Sequence, residues 1–135
     1  MKQSSLRYLG ALDLLLVAAL LVAFGPQVAV VSPVPVMMAV AGLCALLAGS
    51  VAAVSVGPAT VTWRHLVGTA YAAFALMWPA TYGPAVLAGT ATGEELALAV
   101  VTTVGGSTLL FVGYDIARGG RHFDITTDVE RVVGR

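Results

Sequence analysis

Four runs of 19 to 23 residues, about 9–31, 36–56, 66–88 and 96–114, hold one charged side chain between them, Asp13. Roughly 20 apolar residues, rising 1.5 Å each, cross about 30 Å of hydrocarbon. Lipid leaves no backbone N–H or C=O a partner outside the segment, so each run is expected to be a helix despite its valines. The strands of a membrane barrel are about 10 residues of alternating character, and these runs are longer and uniformly apolar. The chain reads as all-α, an integral membrane bundle of four transmembrane helices joined by short loops. Residues 1–117 form the helical domain and residues 118–135 a short charged tail.

Composition agrees. Only 10% of the 135 residues are charged and 59% are hydrophobic, where a soluble domain carries about 25% charge. That is too little charge to cover a water-facing surface, and too much apolar side chain for disorder. The formal net charge is zero, which gives no bulk attraction to nucleic acid. Cys44, the one cysteine, lies in an apolar run and reads as a small buried hydrophobe.

Glycine and proline mark the three connections, "SPVP" at 32–35, "GPATVTWRH" at 57–65 and "GTATGEE" at 89–95. Pro26, Pro79 and Pro84 leave open whether the first and third helices are kinked or shortened there. Arg7 precedes Pro26, and His65 precedes Pro84, by the same 19 residues. A duplicated hairpin and chance in an Ala/Val-rich chain both account for that spacing.

Charge is unevenly spread. The last 23 residues hold eight of the 14 Asp, Glu, Lys and Arg side chains. Four crossings place Lys2, Arg7, Arg64, Arg118, Arg121, Arg131 and Arg135 on one side, with Glu94 and Glu95 on the other. Lys and Arg are enriched in short cytoplasmic loops, so both termini are expected to be cytoplasmic. Tyr8, Trp63 and Tyr114 then lie at the inner interface, and Trp78 and Tyr82 in the outer half. Lys2 and Arg7 ahead of residues 14–24 also have the outline of a signal peptide. No small-x-small cleavage site follows and Asp13 interrupts the apolar core, which favours a retained first span.

An ionisable residue within a membrane segment is a functional hypothesis by default, and Asp13 is the one here. Arg64, His65, Asp115 and Arg118 share its depth. Arg64 and His65 start a helix and Asp115 ends one, each against the helix dipole. Each gains from a partner of opposite sign, in an Asp13–Arg64–Asp115 cluster or an Asp115–Arg118 pair; the plainer reading is a ring of charges wetted at the interface. Ala41, Ala45, Gly49 and Ala53 form a small-residue stripe on the second helix. Gly105 and Gly106, within "TTVGGST", do the same on the fourth; both suit close helix packing. His65 and His122 have no second ligand at helical spacing. No phosphate loop, G-x-S-x-G or H-E-x-x-H motif occurs. No metal, cofactor or catalytic set is expected.

In the tail, Gly119 and Gly120 end the fourth helix, and Arg118 and Arg121 are placed to touch anionic lipid headgroups. "TDVE" at 127–130 fits a capping box ahead of a short helix carrying Val129, Val132 and Val133 on one face. A strand at "HFDIT" is the competing reading.

With six arginines to one lysine, Ala, Val and Leu dominating, and "YDIARGGRHFDITTDVERVVGR" after four spans, the chain resembles the small uncharacterised four-span membrane proteins of haloarchaea and other high-GC prokaryotes. The resemblance is one of layout and implies no site residues. Small multidrug transporters also have four spans and an acidic residue in the first, but Asp13 sits nearer its helix start, and the charge bias here is stronger. The expected function is that of a non-catalytic accessory or assembly subunit of a membrane complex. Its partners are the lipid bilayer and either other membrane subunits or copies of itself. The alternative is a small oligomeric transporter or channel using Asp13, Arg64 and Asp115 near the cytoplasmic face.

Overall fold

The computed structural model of the chain describes residues 2–56, 58–123 and 125–133. Gly57 of the second connection, Asp124 of the alternative tail strand and Arg135 of the inner charges lie outside those residues.

The chain is mostly helical. A 3-10 turn at Gln3–Ser5 leads into α1, Leu6–Phe24. Gly25 takes φ +78° and Pro26 follows, so α1 ends there rather than kinking. One apolar turn, α2 (Val28–Val31), is followed by α3 (Pro33–Ala48). The Ser32 hydroxyl accepts from the amide of Val34 at 3.3 Å, and Pro33 fills a first-turn position that needs no donor. The third long apolar run forms α4, Trp63–Leu87, and it continues through both Pro79 and Pro84. The fourth forms α5, Gly93–Ala117. Thr92 caps it, exchanging hydrogen bonds with Glu95, and Gly119 and Gly120 follow it with φ +122° and +68°.

Two expectations fail at the same end of the molecule. The second helix stops at Ala48 instead of continuing to 56, so the chain is not all-α. Ala53–Val56 is a strand, β1, paired antiparallel with β2, Ala59–Thr62, from Ala53 opposite Thr62 to Val56 opposite Ala59. Gly49 and Ser50 are weak helix formers, and the β-branched residues after them suit a pleated ladder. Among the described residues of the tail there is no capped helix either. Val132–Val133 is a strand, β3, parallel to β1 with Val132 opposite Ala53, and the sheet order is β2–β1–β3. A helix of six residues is marginal alone, whereas β1 offers a free edge that satisfies tail backbone.

The principal helix contacts are α1 with α3, α3 with α4 and α4 with α5, a row rather than a closed ring. Neighbours run antiparallel: Gly10 of α1 meets Gly42 of α3 while Arg7 meets Gly49, and on the other side Gly68 of α4 meets Gly113 of α5 while Ala75 meets Gly106. The last pair has a covalent origin. Pro79 has no N–H, so it cannot engage the carbonyl of Ala75 one turn earlier. That oxygen lies 2.6 Å from where a Cβ at Gly106 would sit, and only glycine allows α5 so close.

The main hydrophobic cluster lies at the charged end, not mid-helix. Leu6, Ala48, Trp63, Val67, Ile116 and Ile125 are buried together there. Elsewhere the helices turn large apolar side chains outward, such as Leu12 and Leu15 of α1, Leu43 of α3 and Val101 and Phe111 of α5. Two helical stretches, Gln3–Phe24 and Gly93–Ala117, are long and apolar enough to cross a membrane, and α3 is a shorter apolar helix. Only 17% and 11% of the most apolar windows in those two are buried, unlike the core helices of a soluble domain. Helix hydroxyls are also satisfied locally: Thr69, Thr81, Thr102 and Ser107 each donate to the carbonyl four residues earlier.

Candidate functional site

The described lysines and arginines gather where α1 and α4 begin and α3 and α5 end, and there the two ends of the chain are joined into a cap. Lys2 bridges Thr126, and the Gln3 amide donates to the Thr126 carbonyl at 2.9 Å. The Gln3 side chain is fully buried, its Nε2 donating to the carbonyls of Ala48 at 2.7 Å and Val51 at 3.0 Å. The Ala48 carbonyl is free because it ends α3, where the last carbonyls have no intrahelical partner, and Val51 lies just beyond that end. A Gln3→Ala chain leaves them buried without that donor. Its expected cost is about 1–3 kcal/mol, read as a lower midpoint in thermal unfolding.

Asp128 fastens the other strand of this junction. Its carboxylate accepts from the Ser4 hydroxyl at 2.6 Å and the Ser4 amide at 2.8 Å. The hydroxyl, then the amide, hold the Asp128 carboxyl below its ordinary value of 3.8. A carboxyl lowered in the docked state favours docking wherever it is ionised, and the contribution disappears as pH falls through the docked value. A spin label at Thr127→Cys, in a Cys44→Ala background, should therefore be immobile at neutral pH and gain mobility in acid below the ordinary carboxylate range. With Asp128→Asn as well, it should be more mobile already at neutral pH.

Asp115, at the end of α5, accepts three hydrogen bonds from the tail. Its Oδ2 takes the amides of His122 at 2.9 Å and Phe123 at 3.0 Å, and its Oδ1 meets His122 Nδ1 at 3.1 Å. Its side chain is 10% exposed and that of His122 66%. Gly120 also donates to the Asp115 carbonyl at 2.8 Å. The residue grouped with Asp13 and Arg64 on sequence grounds thus holds the tail instead. Arg118 lies over the ring of Tyr114, 4.9 Å from its centroid, rather than against Asp115. Arg64 lies over Trp63 at 4.9 Å and packs on Gly120, where an added Cβ would meet its Nη1 at 3.1 Å. His65 Nδ1 is 2.8 Å from the Thr62 hydroxyl. Arg7 over Tyr8, at 4.7 Å, completes three arginine–aromatic pairs at this end. Arg118, Arg121, His122 and Asp115 line a shallow cavity of about 350 Å³ with Phe111 and Tyr114.

Asp13 lies elsewhere, on the α1 face toward α3. Its Oδ2 is 3.1 Å from where a Cβ at Gly42 would stand, and this buried oxygen accepts no hydrogen bond among the described residues. It borders a cavity of about 290 Å³ between α1, α3 and α4, with Leu9, Ala45, Val67, Tyr71 and Phe74 among its walls.

The packing residues divide. Ala41 is fully buried, Gly49 packs on the backbone of Arg7 and Gly106 on Ala75. Ala45 lines the Asp13 cavity. Ala53 belongs to β1 and so leaves the helical stripe, and Gly105 faces open space. Sequence reasoning missed Gln3 and Ser4, whose side-chain partners are 45 or more residues away, and read Asp128 as part of a helix cap rather than a clasp. Among the described residues, no three His, Cys, Asp or Glu side chains come together as a metal ion would require.

No curated protein and no solved structure matches the chain. Residues 1–129 match a family of unknown function, DUF7994, and the chain belongs to that family.

Proposed function

We propose that this is a four-span membrane protein with both termini in the cytoplasm, acting as a non-catalytic accessory or assembly subunit of a membrane complex. One observation carries the reading: the buried cluster is confined to the charged cap, while the helices beyond it face outward with leucine, valine and phenylalanine. Lipid and neighbouring apolar helices are the surroundings that suit such faces. α4 adds support, since it is 25 residues long and uncharged after His65. α3 alone spans about 24 Å, short of the hydrocarbon thickness, and α2 precedes it with a further apolar turn. Basic residues at the cap favour its placement on the cytoplasmic side. Arg118 and Arg121 are there within reach of anionic headgroups, and the arginine–aromatic pairs suit the interface.

Because residues 125–133 are docked on the N-terminus and β1, the surface offered to a cytoplasmic partner is the composite cap, not a free tail. Affinity capture in mild detergent should recover the chain in a stable complex, either with other membrane subunits or with copies of itself. A cysteine at Thr127 should react with an impermeant reagent only after cells are opened. Recovery as an isolated monomer that mediates solute flux in liposomes overturns the subunit role; labelling from outside intact cells overturns the orientation.

A further inference from the structure

Two neighbouring cavities meet at Tyr114. The first, of about 350 Å³, is polar: Arg118, Arg121 and His122 line it, with Phe111 and Tyr114 as its aromatic wall. The second, of about 370 Å³, is an apolar groove between α4 and α5, with Gly68, Ala72, Leu110 and Gly113 among its walls. Gly68 and Gly113 bring the two backbones together. Ala72 and Leu110 each lie about one turn further from the cap, so the groove leads from the arginines toward the middle of the helices. Phe111 and Tyr114 are both more than half exposed, at 53% and 57%. Their rings face out of the bundle, onto the same apolar surface of α5 as Val101 and Val104.

Charge in the polar cavity favours an anion. Two guanidinium groups are set against one carboxylate, Asp115, whose oxygens already take the His122 and Phe123 amides and the His122 ring. Arg118 is held over the Tyr114 ring at 4.9 Å, which puts its charge where the two cavities join. His122 is steadied by Asp115 at 3.1 Å and by the Phe111 ring, 6.0 Å away between centroids. Guanidinium groups match phosphate oxygens in two-point pairs. A phosphate alone leaves the groove beside it unfilled, and an acyl chain alone leaves the arginines without an anion. A choline headgroup brings a cation to a site that already has two. We propose that Arg118 and Arg121 bind the phosphate of one acidic phospholipid, with an acyl chain lying in the groove between α4 and α5. Such a lipid is a defined ligand rather than a general surface attraction. It presupposes the membrane reading and is independent of the subunit role.

The test uses the full chain in detergent and native mass spectrometry, with phosphatidylglycerol and phosphatidylcholine of the same acyl chains as probes. One phosphatidylglycerol should stay bound, about tenfold tighter or more than phosphatidylcholine. Arg118→Gln together with Arg121→Gln should bring phosphatidylglycerol down to the phosphatidylcholine level. Arg131→Gln removes a charge from the same end of the molecule but outside both cavities, and should leave the preference unchanged. A measurement on unsubstituted protein guards against variants that fail to fold. Phosphatidylglycerol with a diazirine in one acyl chain should label residues 68–72 of α4 and 110–114 of α5. Equal retention of the two lipids, loss of the preference in Arg131→Gln, labelling of α1 and α3 instead, or displacement of the lipid by inorganic phosphate each overturns the site. A chain that stays monodisperse without detergent overturns the membrane reading along with it, so the two failures are told apart.

Discussion

A Gly10→Leu chain is expected to lose the contact between α1 and α3. A Cβ at position 10 would lie 2.5 Å from the carbonyl oxygen of Gly42 and 2.8 Å from the Cα of Leu46. Both obstacles are backbone, so no rotamer change can make room. Overpacking costs about 1–3 kcal/mol, and the upper end applies where the neighbour cannot give. Against a total stability of about 5–15 kcal/mol, a loss of about 3 kcal/mol is large. The readout is the unfolding midpoint in detergent, by loss of helical circular dichroism or of monodispersity. Gly105→Leu is the matched control. Nothing lies within 4 Å of its added Cβ, and leucine is the better helix former, so its midpoint should hold or rise slightly. Equal losses from the two changes would mean that α1 and α3 are not in backbone contact.

Asp115→Ala should release the tail from the helices. The substitution removes the acceptor for the His122 and Phe123 amides and for the His122 ring in one step. Two backbone donors are then left to find water, and Ile125 is drawn out of the cluster it shares with Leu6, Trp63 and Ile116. Trypsin should cut after Arg121 and Arg131 about tenfold faster or more, because cleavage follows the population of the open form. Asp115→Asn separates charge from geometry. Its amide oxygen can still take both backbone donors, which share a single carboxylate oxygen in the native chain. Most of the protection should survive in that variant; cleavage as fast as in Asp115→Ala would mean that the ionised carboxylate itself is required.

The long apolar runs and the basic end were legible because both are sums over many residues. The third connection and the end of α5 were legible because Gly and Thr act locally there; the first was not, since α1 already ends at Phe24 and Pro33 and Pro35 of the expected turn lie inside α3. Residues 49–62 were not. A helix and a strand of Ala, Val and Ser have the same average hydropathy, and β1 is fixed by pairing, with β2 next in the chain and with residues 132–133 almost 80 positions later. The tail failed for the same reason: "TDVE" is a valid local helix start, but Asp128 meets Ser4 and Val132 meets Ala53 across the whole chain. Gly105 and Gly106 are a different case. Neighbours on a helix point about 100° apart, and composition does not say which of two glycines faces α4. The oxygen left free by Pro79 was the available clue. Asp13 was found, but its surroundings were not, since the cavity beside it depends on how α1, α3 and α4 meet.

The pairing of Lys2 with Thr126 and of β1 with β3 sets an order of events during synthesis. Residues 123–133 leave the ribosome after every helix has emerged. Until then the Gln3 amide lacks the Thr126 carbonyl, Leu6 lacks Ile125, and the outer edge of β1 lacks β3. Packing of the helices on one another therefore precedes sealing of the cap, and the last segment to be made is the one that closes the apolar seam between the start of α1 and the sheet.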